Sequence, residues 1–165
     1  GERRVRFWVQ ELVSRLPGPC CDLGVSRASA DLAGLAAGVE QAVAAWNLGR
    51  RIAGRVSPFF WEDLGLYRLL AGLRDQADLR RFYDETLGAL VRYDATHGTD
   101  LVHTLQVFFE QNGNASQTSR ALFVHRNTLN YRLQRIIEIS GLDLNDNEAR
   151  LAFRLALKVH QLIQP

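Results

Sequence analysis

The chain has 165 residues, of which 47% are hydrophobic and 23% are charged, and its formal net charge is +2. These values are ordinary for a soluble globular protein with a sizeable core and one or two domains. No apolar segment has the length and flanks of a transmembrane span or a signal peptide, so we expect no membrane insertion. The sequence contains no Met, and we interpret it as a fragment of a longer protein.

Residues 1–63 show a helix–strand–helix–strand pattern. Apolar residues at helical spacing predict a helix over residues 5–16, and residues 20–26 are short enough to form a strand. Asp31 is expected to cap a second helix that extends to about Ile52. Residues 56–61 predict a second strand, where Pro58 favours the edge of a sheet. The apolar stripe of the second helix consists of Leu32, Leu35, Val39, Val43 and Trp46.

Cysteine, serine and histidine residues occur here, but not in the sequence patterns that catalysis or metal binding requires. Cys20 and Cys21 are adjacent, which favours reduced thiols in the cytoplasm over a vicinal redox switch. Ser26 lies in a partial nucleophile-elbow pattern, but Ala28 replaces its second Gly and no His/Asp pair accompanies it. The histidines at positions 97, 103, 125 and 160 fall in no zinc-binding spacing. We therefore expect neither an enzyme nor a resident metal or cofactor.

The middle of the chain predicts helices over residues 64–73 and 78–93. Thr99 or Asp100 is expected to cap a third helix over residues 101–111, which Gly113 ends. The predicted core positions of the last two helices are Leu79, Phe82, Leu87, Leu90, Val91, Leu101, Leu105, Phe108 and Phe109.

Residues 114–141 predict two helices joined by a tight turn. Asn114 is a good N-cap, and Gln117 has the spacing to complete a capping box by reaching back to the cap amide. The turn is expected at residues 123–125, the second helix begins at Arg126, and Gly141 ends it. The predicted buried positions are Ala115, Ala121 and Leu122 on the first helix and Leu129, Leu133, Ile136 and Ile137 on the second.

The predicted outer face of the second helix is polar and basic. Between Glu110 and Glu138 the sequence has four Arg and no carboxylate, so this window carries +4 and the rest of the chain −2. Such a concentration of positive charge is typical of a nucleic-acid site, although a helical hairpin with merely solvated Arg residues is the alternative. The predicted outward residues are Asn127, Thr128, Tyr131, Gln134 and Arg135, with Asn130 and Arg132 on the flanks.

A last helix is predicted from a capping box of Asn145 and Glu148 to about Ile163. It is expected to pack either under the two-helix motif or against a second subunit. Its predicted buried seam consists of Leu151, Leu155, Val159 and Leu162.

The segments FVHRNTLNYRLQRI and SGLDLNDNEARLAFRLALKVHQL resemble the C-terminal helix-turn-helix of the PucR/CdaR family of bacterial transcription regulators. Ser119 and Asn147 depart from the family pattern, where Ala and Pro are usual, and both are structurally tolerable. Residues 24–52 more diffusely resemble the degenerate GGDEF-like domain of such regulators, without an acidic cyclase site. The resemblance implies an α+β, mainly α fold, with a partial GGDEF-like domain (1–63), a helical connector (64–97) and a helix-turn-helix domain (98–165).

The implied function is sequence-specific binding of double-stranded DNA by a transcription regulator, as a homodimer and with a possible small-molecule effector. A protein-interaction module with the same shape is the alternative. Arg126 carries a structural interpretation as well, because its helical angle allows it to brace the turn. The expected base contacts are His125, Arg126, Asn127 and Tyr131. The expected phosphate contacts are Ser116, Gln117, Thr128, Asn130, Arg132 and Arg135.

Overall fold

The computed structural model describes residues 2–15, 22–29, 31–53, 58–73 and 76–163. Contacts between Cα atoms divide the chain into two compact units: Gly1–Leu73 with Gln161–Pro165, and Arg74–His160. The described residues are mainly helical, with one two-stranded sheet, which confirms the predicted fold class. The predictions for Cys20 and Cys21 fall outside the described residues.

The first unit builds a small α/β layer on one long helix. Helix α1 (Glu2–Arg15) precedes strand β1 (Gly24–Val25), and helix α2 (Ala33–Ala53) precedes strand β2 (Phe59–Phe60). The strands are parallel, as a helical crossover requires, and Gly24 is opposite Phe59 in the register. Each strand is only two residues long, which is shorter than predicted. The expected cap is confirmed, because Asp31 Oδ1 accepts a hydrogen bond from the Gly34 amide at 2.8 Å.

The prediction that the large apolar stripe of α2 is its packing face is wrong. The opposite side of α2, where the residues are small, lies against the sheet. A Cβ atom at Gly24 would come within 2.0 Å of the Ala42 carbonyl oxygen, and one at Gly49 within 2.2 Å of the Phe59 ring. These glycines permit the close approach, so most of the stripe faces outward, and only its last residue, Trp46, is half-buried. The exposed fractions of Leu32, Leu35, Val39 and Val43 are 87%, 60%, 60% and 51%.

A 3-10 turn at Trp61–Leu64 leads into helix α3 (Tyr67–Leu73), so the helix predicted over residues 64–73 begins three residues late. The turn and α3 meet at Gly65, which has a positive φ of 49°. That conformation is unfavourable for an α-helix and separates the two segments.

The second unit begins with a continuous helical run where one helix was predicted over residues 78–93. Helix α4 (Ala77–Tyr83) passes through a π-helical turn (Asp84–Gly88) into helix α5 (Ala89–His97). Four further helices follow: α6 (Leu101–Glu110), α7 (Ala115–Ala121), α8 (Arg126–Ser140) and α9 (Asn147–Ile163).

The core of the second unit joins α5, α6, α8 and α9. Ile136 of α8 and Phe153 of α9 are both fully buried in the same cluster, so α9 packs under the two-helix motif, as the first of the two predicted placements has it. The predicted seam of α9 is wrong at Leu151, which is 61% exposed, because Phe153 and its helical neighbours turn inward instead. The cluster comprises Leu87, Leu90, Leu101, Leu105, Phe108, Phe109, Ile136, Leu144, Phe153, Ala156 and Leu157.

Two helix caps differ from the predicted ones. Asp94, in the last turn of α5, caps α6: its Oδ1 accepts from the Leu101 amide at 2.9 Å and its Oδ2 from the Val102 amide at 2.9 Å. Thr99 Oγ1 also donates to Asp94 Oδ1, at 2.5 Å, and Asp100 forms no side-chain cap hydrogen bond.

Helix α9 is capped by Asp146 rather than by Asn145. Asp146 Oδ2 accepts from the Ala149 amide at 2.8 Å. The amide of Asn145 donates to Asp143 Oδ1, which places Asn145 in the preceding turn.

His160 makes the stability of the second unit depend on pH. The Tyr83 hydroxyl lies 2.7 Å from His160 Nδ1, and burial lowers the pKa of His160 below its usual 6.5. The unfolded chain therefore takes up a proton at a higher pH than the folded one. We expect the free energy of unfolding to fall as the pH drops through about 6.5, and to level off below the folded pKa.

Urea denaturation at several pH values tests this expectation. His160→Gln should weaken the pH dependence, because it removes the half-buried titrating group. Equal pH dependence in the variant and the native chain would contradict the assignment to His160.

Candidate nucleic-acid interface

Helix α7 starts at the predicted cap. Asn114 Oδ1 accepts a hydrogen bond from the Gln117 amide at 3.1 Å, which confirms the N-cap. The second half of the predicted capping box is wrong, because the Asn114 amide donates to the Gln111 carbonyl oxygen at 3.0 Å. The side chain of Gln117 is thus not used for capping, and it is exposed.

Thr118 is the buried residue of α7. It is fully buried, and its hydroxyl donates to the Asn114 carbonyl oxygen at 2.8 Å, which satisfies the polar group. Ala121 is exposed, contrary to prediction, and Ala115 and Leu122 are half-buried. In this helix of seven residues, Thr118 therefore provides the buried contact that was predicted for the alanines.

The turn between α7 and α8 is a Schellman motif. The Phe123 amide donates to the Arg120 carbonyl oxygen at 3.1 Å, and the Val124 amide donates to that of Ser119 at 3.0 Å. Phe123 occupies the left-handed position of this motif, with a φ of 54°. The predicted tight turn is confirmed.

His125 is the N-cap of α8. Its Nδ1 accepts a hydrogen bond from the Asn127 amide at 3.2 Å, so the hydrogen of the neutral ring is on Nε2 in this arrangement. His125 is nevertheless exposed and lies beside the first turn of α8. His125, which was predicted as a base contact, therefore also has a structural role as the cap of α8.

The buried face of α8 follows the prediction. Leu129 and Ile136 are fully buried, and Leu133 and Ile137 are half-buried. Gly141 ends the helix with a φ of 70°, and its amide donates to the Ile137 carbonyl oxygen at 2.8 Å. The opposite face of α8 is thereby fixed toward solvent.

Most of the predicted DNA contacts lie on that exposed face or at the start of α7. The guanidinium of Arg126 forms no hydrogen bond or ion pair within the part of the chain that the structure describes, so a bracing role gains no support. The side chain of Tyr131 is 68% exposed. The exposed members of the predicted set are Ser116, Gln117, His125, Arg126, Asn127, Thr128, Asn130 and Tyr131.

Arg132 and Arg135 differ from the others because they hold α8 against neighbouring helices. Arg132 Nη1 donates to the hydroxyl of Thr104 at 3.0 Å, and Thr104 is fully buried in α6. Both arginines are half-buried, whereas the other four residues predicted to face away from the stripe are exposed.

Arg135 has two partners. Its Nε donates to the Tyr93 hydroxyl at 3.3 Å, and its guanidinium lies 5.1 Å from the centre of the Tyr93 ring. Its Nη1 donates to Glu138 at 2.9 Å, and this hydrogen bond lowers the pKa of the Glu138 carboxyl. Part of the positive charge counted in the sequence is thus paired within the fold.

Neither a metal cluster nor a membrane span is found where the structure describes the chain. No group of three or more His, Cys, Asp or Glu side chains there has a metal-binding arrangement. None of the described helices has the length and apolar character needed to cross a membrane.

Ser26, the residue in the partial nucleophile-elbow pattern, forms a local hydrogen bond: its Oγ donates to the neighbouring Arg27 carbonyl oxygen at 3.0 Å.

Part of the chain matches a known protein family, and the chain is similar to several known proteins. Residues 101–159 match the family described as the PucR C-terminal helix-turn-helix domain. Over 104 residues the chain is 34% identical to the DNA-binding transcriptional activator AdeR of Bacillus subtilis (strain 168), and this covers 63% of the chain and 25% of AdeR. Over 86 residues it is 41% identical to the purine catabolism regulatory protein of the same organism, covering 52% of the chain and 16% of that protein.

A third relative comes from another bacterium. The chain is 38% identical over 104 residues to the carbohydrate diacid regulator of Escherichia coli (strain K12), covering 62% of the chain and 26% of that protein. The chain thus spans about a quarter or less of the length of these relatives. The predicted resemblance to PucR/CdaR regulators is confirmed, and the GGDEF-like interpretation of residues 1–63 stays a prediction.

Proposed function

We propose that the chain is the DNA-binding part of a sequence-specific transcription regulator, because residues 101–159 match the family described as the PucR C-terminal helix-turn-helix domain. The observation that carries the proposal is the outer face at the start of α8. It is polar, exposed and free of carboxylates, and the opposite face of α8 is anchored by Leu129 and Ile136, which are fully buried. A rigid helix that presents amide, hydroxyl and guanidinium groups is suited to base edges in the major groove.

The exposed residues divide by chemistry into two roles. Arg126 is suited to a guanine and Asn127 to an adenine, each through two hydrogen bonds, and His125 and Tyr131 flank them. Ser116, Gln117, Thr128 and Asn130 are suited to phosphate oxygens, which fix the register of the protein on the duplex.

We assign a positioning role to Arg132 and Arg135. Their hydrogen bonds to Thr104 and Tyr93 connect α8 to α6 and α5. Both remain candidates for phosphate contacts, because a guanidinium has five donor hydrogens and these bonds use one or two of them.

The names of the relatives support the wider parts of the proposal. AdeR is named a DNA-binding transcriptional activator, and two other relatives are named regulators of purine catabolism and of carbohydrate diacids. We propose a cytoplasmic regulator without enzymatic activity that binds an operator as a homodimer, since one motif of this type reads only a half-site. A small-molecule effector would act outside the helix-turn-helix domain.

The decisive variant is Asn127→Ala combined with Tyr131→Ala. A duplex selected by the native chain from a randomised pool would be labelled, and binding followed by fluorescence anisotropy at about 50 mM and 200 mM salt. We expect the double variant to lose at least about tenfold in affinity for the selected duplex, because a lost two-bond base contact costs about 1–3 kcal/mol. Weak binding to unrelated DNA should persist, since phosphate contacts remain.

Asn47→Ala is the matched control, because it removes the same amide group from another exposed helical position, on α2. It should bind like the native chain, and all three proteins should melt at similar temperatures. No enriched sequence and no salt-dependent binding would overturn the proposal in favour of a protein-interaction module. Equal affinity of the double variant and the native chain would contradict the assignment of Asn127 and Tyr131 as base contacts.

A further inference from the structure

Phe123 combines an unfavourable backbone conformation with a fully exposed aromatic ring. Its φ is 54° and its side chain is 96% exposed. In the described part of the chain, the other residues with positive φ are Gly65, Gly98, Gly113, Gly141 and Asn112. Glycine adopts this conformation without a Cβ clash, and asparagine tolerates it well, whereas a bulky side chain there is an outlier. Phe123 is the bulky exception.

Neither local structure nor packing explains a phenylalanine at this position. The Schellman motif needs only a backbone that enters the left-handed region, and glycine does so with less strain. The exposed ring buries almost no apolar surface within the chain, so it gains no packing energy. A strained residue that the fold does not need is typical of a functional surface.

The position of Phe123 indicates which surface this is. It lies three residues before Arg126, next to the N-terminal end of α8, which the proposed function directs to the base edges. The exposed residues that follow it, at positions 125–128, are all polar. Phe123 therefore adds an exposed apolar group to a surface otherwise suited to hydrogen bonding.

The major groove has one prominent apolar feature, which is the 5-methyl group of thymine, and apolar side chains are known to pack against it. We propose that Phe123 contacts a thymine methyl group and so selects an A·T pair at the edge of the half-site. This inference rests on the proposed function, since it requires that α8 enters the major groove. Phe123 would thus distinguish base pairs by an apolar contact, whereas the other assigned base contacts distinguish them by hydrogen bonds.

The test uses the full chain, two substitutions and a modified duplex. Phe123→Asn and Phe123→Gly both suit a positive φ, and we expect each to melt at the same temperature as the native chain or higher. The duplex is the one selected by the native chain, with each thymine replaced in turn by uracil, which differs only by lacking the methyl group.

We expect one uracil position to reduce the affinity of the native chain by about fourfold, the factor for losing the burial of one methyl group. The same replacement should leave the affinity of both Phe123 variants unchanged. Their affinity for the thymine duplex should equal that of the native chain for the uracil duplex.

Other outcomes overturn the inference in distinguishable ways. Salt-dependent, sequence-specific binding without any uracil effect would leave the proposed function standing and remove the thymine contact. If the variants lost the same factor in affinity on the thymine and uracil duplexes, relative to the native chain, the Phe123 ring would contact the sugar–phosphate backbone instead. A loss of self-association in the variants, with unchanged DNA affinity per subunit, would assign it to a second copy of the chain. No specific binding by the native chain would refute the proposed function itself.

Discussion

Phe153→Ala is expected to lower the free energy of unfolding of the second unit by about 3–5 kcal/mol, the usual cost of deleting a buried aromatic ring. Phe153 is fully buried in the cluster that includes Ile136 of α8, and its ring centre lies 6.4 Å from that of Phe109. The substitution leaves a cavity directly beneath the two-helix motif. Thermal unfolding followed by circular dichroism should show a melting temperature more than about 10 °C lower.

Leu151→Ala provides the matched control on the same helix. Leu151 is 61% exposed, so its truncation should change stability by no more than about 0.5 kcal/mol. DNA binding should be lost for Phe153→Ala at temperatures where the second unit unfolds, and kept for Leu151→Ala. A larger loss of stability for Leu151→Ala than for Phe153→Ala would restore the seam predicted from sequence and contradict the observed orientation of α9.

Asp94→Ala is expected to cost about 2 kcal/mol, because the carboxylate accepts bonds from two backbone amides and one hydroxyl. The substitution leaves the first amides of α6 without their partner and removes a negative charge from the positive end of that helix. Urea denaturation should show a lower midpoint with an unchanged slope.

The control for this prediction is Asp100→Ala. Asp100 is one of the two caps predicted from sequence, with Thr99 as the other, and it forms no side-chain cap hydrogen bond. Its replacement should cost clearly less than that of Asp94, and Asp94→Asn, which keeps one acceptor oxygen, should fall between the native chain and Asp94→Ala. Equal effects of the two alanine substitutions would mean that Asp94 does not dominate the cap.

The features predicted correctly from sequence are those decided within a few residues. The cap at Asn114, the turn before Arg126 and the glycine end at Gly141 each depend on contacts spanning three to five positions. The buried stripe of α8 was also predictable, because its apolar residues form one narrow row. Local rules of capping and periodicity therefore located the candidate interface.

The features predicted wrongly depend on distant partners. The cap of α6 comes from the preceding helix, because the chain folds back at Gly98 and brings Asp94 to the start of α6. Helix α9 has apolar residues on more than one side, so periodicity alone does not choose between Leu151 and Phe153. In α2, the sheet packs so closely against the helix that only its side with small residues fits there, and the large apolar stripe faces away from the sheet.

The same limit applies to the candidate interface. Arg132 and Arg135 have the chemistry of phosphate contacts, and in the nearby sequence only Glu138, three positions after Arg135, offers either of them a partner. Their partners Thr104 and Tyr93 are 28 and 42 positions away. The strained conformation of Phe123 was equally hidden, since phenylalanine is not a residue that sequence rules place at a left-handed position.

The cap provided by Asp94 has a consequence for the order in which the domain assembles. Its backbone partners are seven and eight positions away, and closing so short a loop costs little entropy. Leu90, Leu101 and Leu105 bring their own apolar contacts to the same helical hairpin, formed by α5 and α6. Since local contacts form quickly, we expect this hairpin to form early. During synthesis it would then provide a ready platform on which α8 docks as it leaves the ribosome.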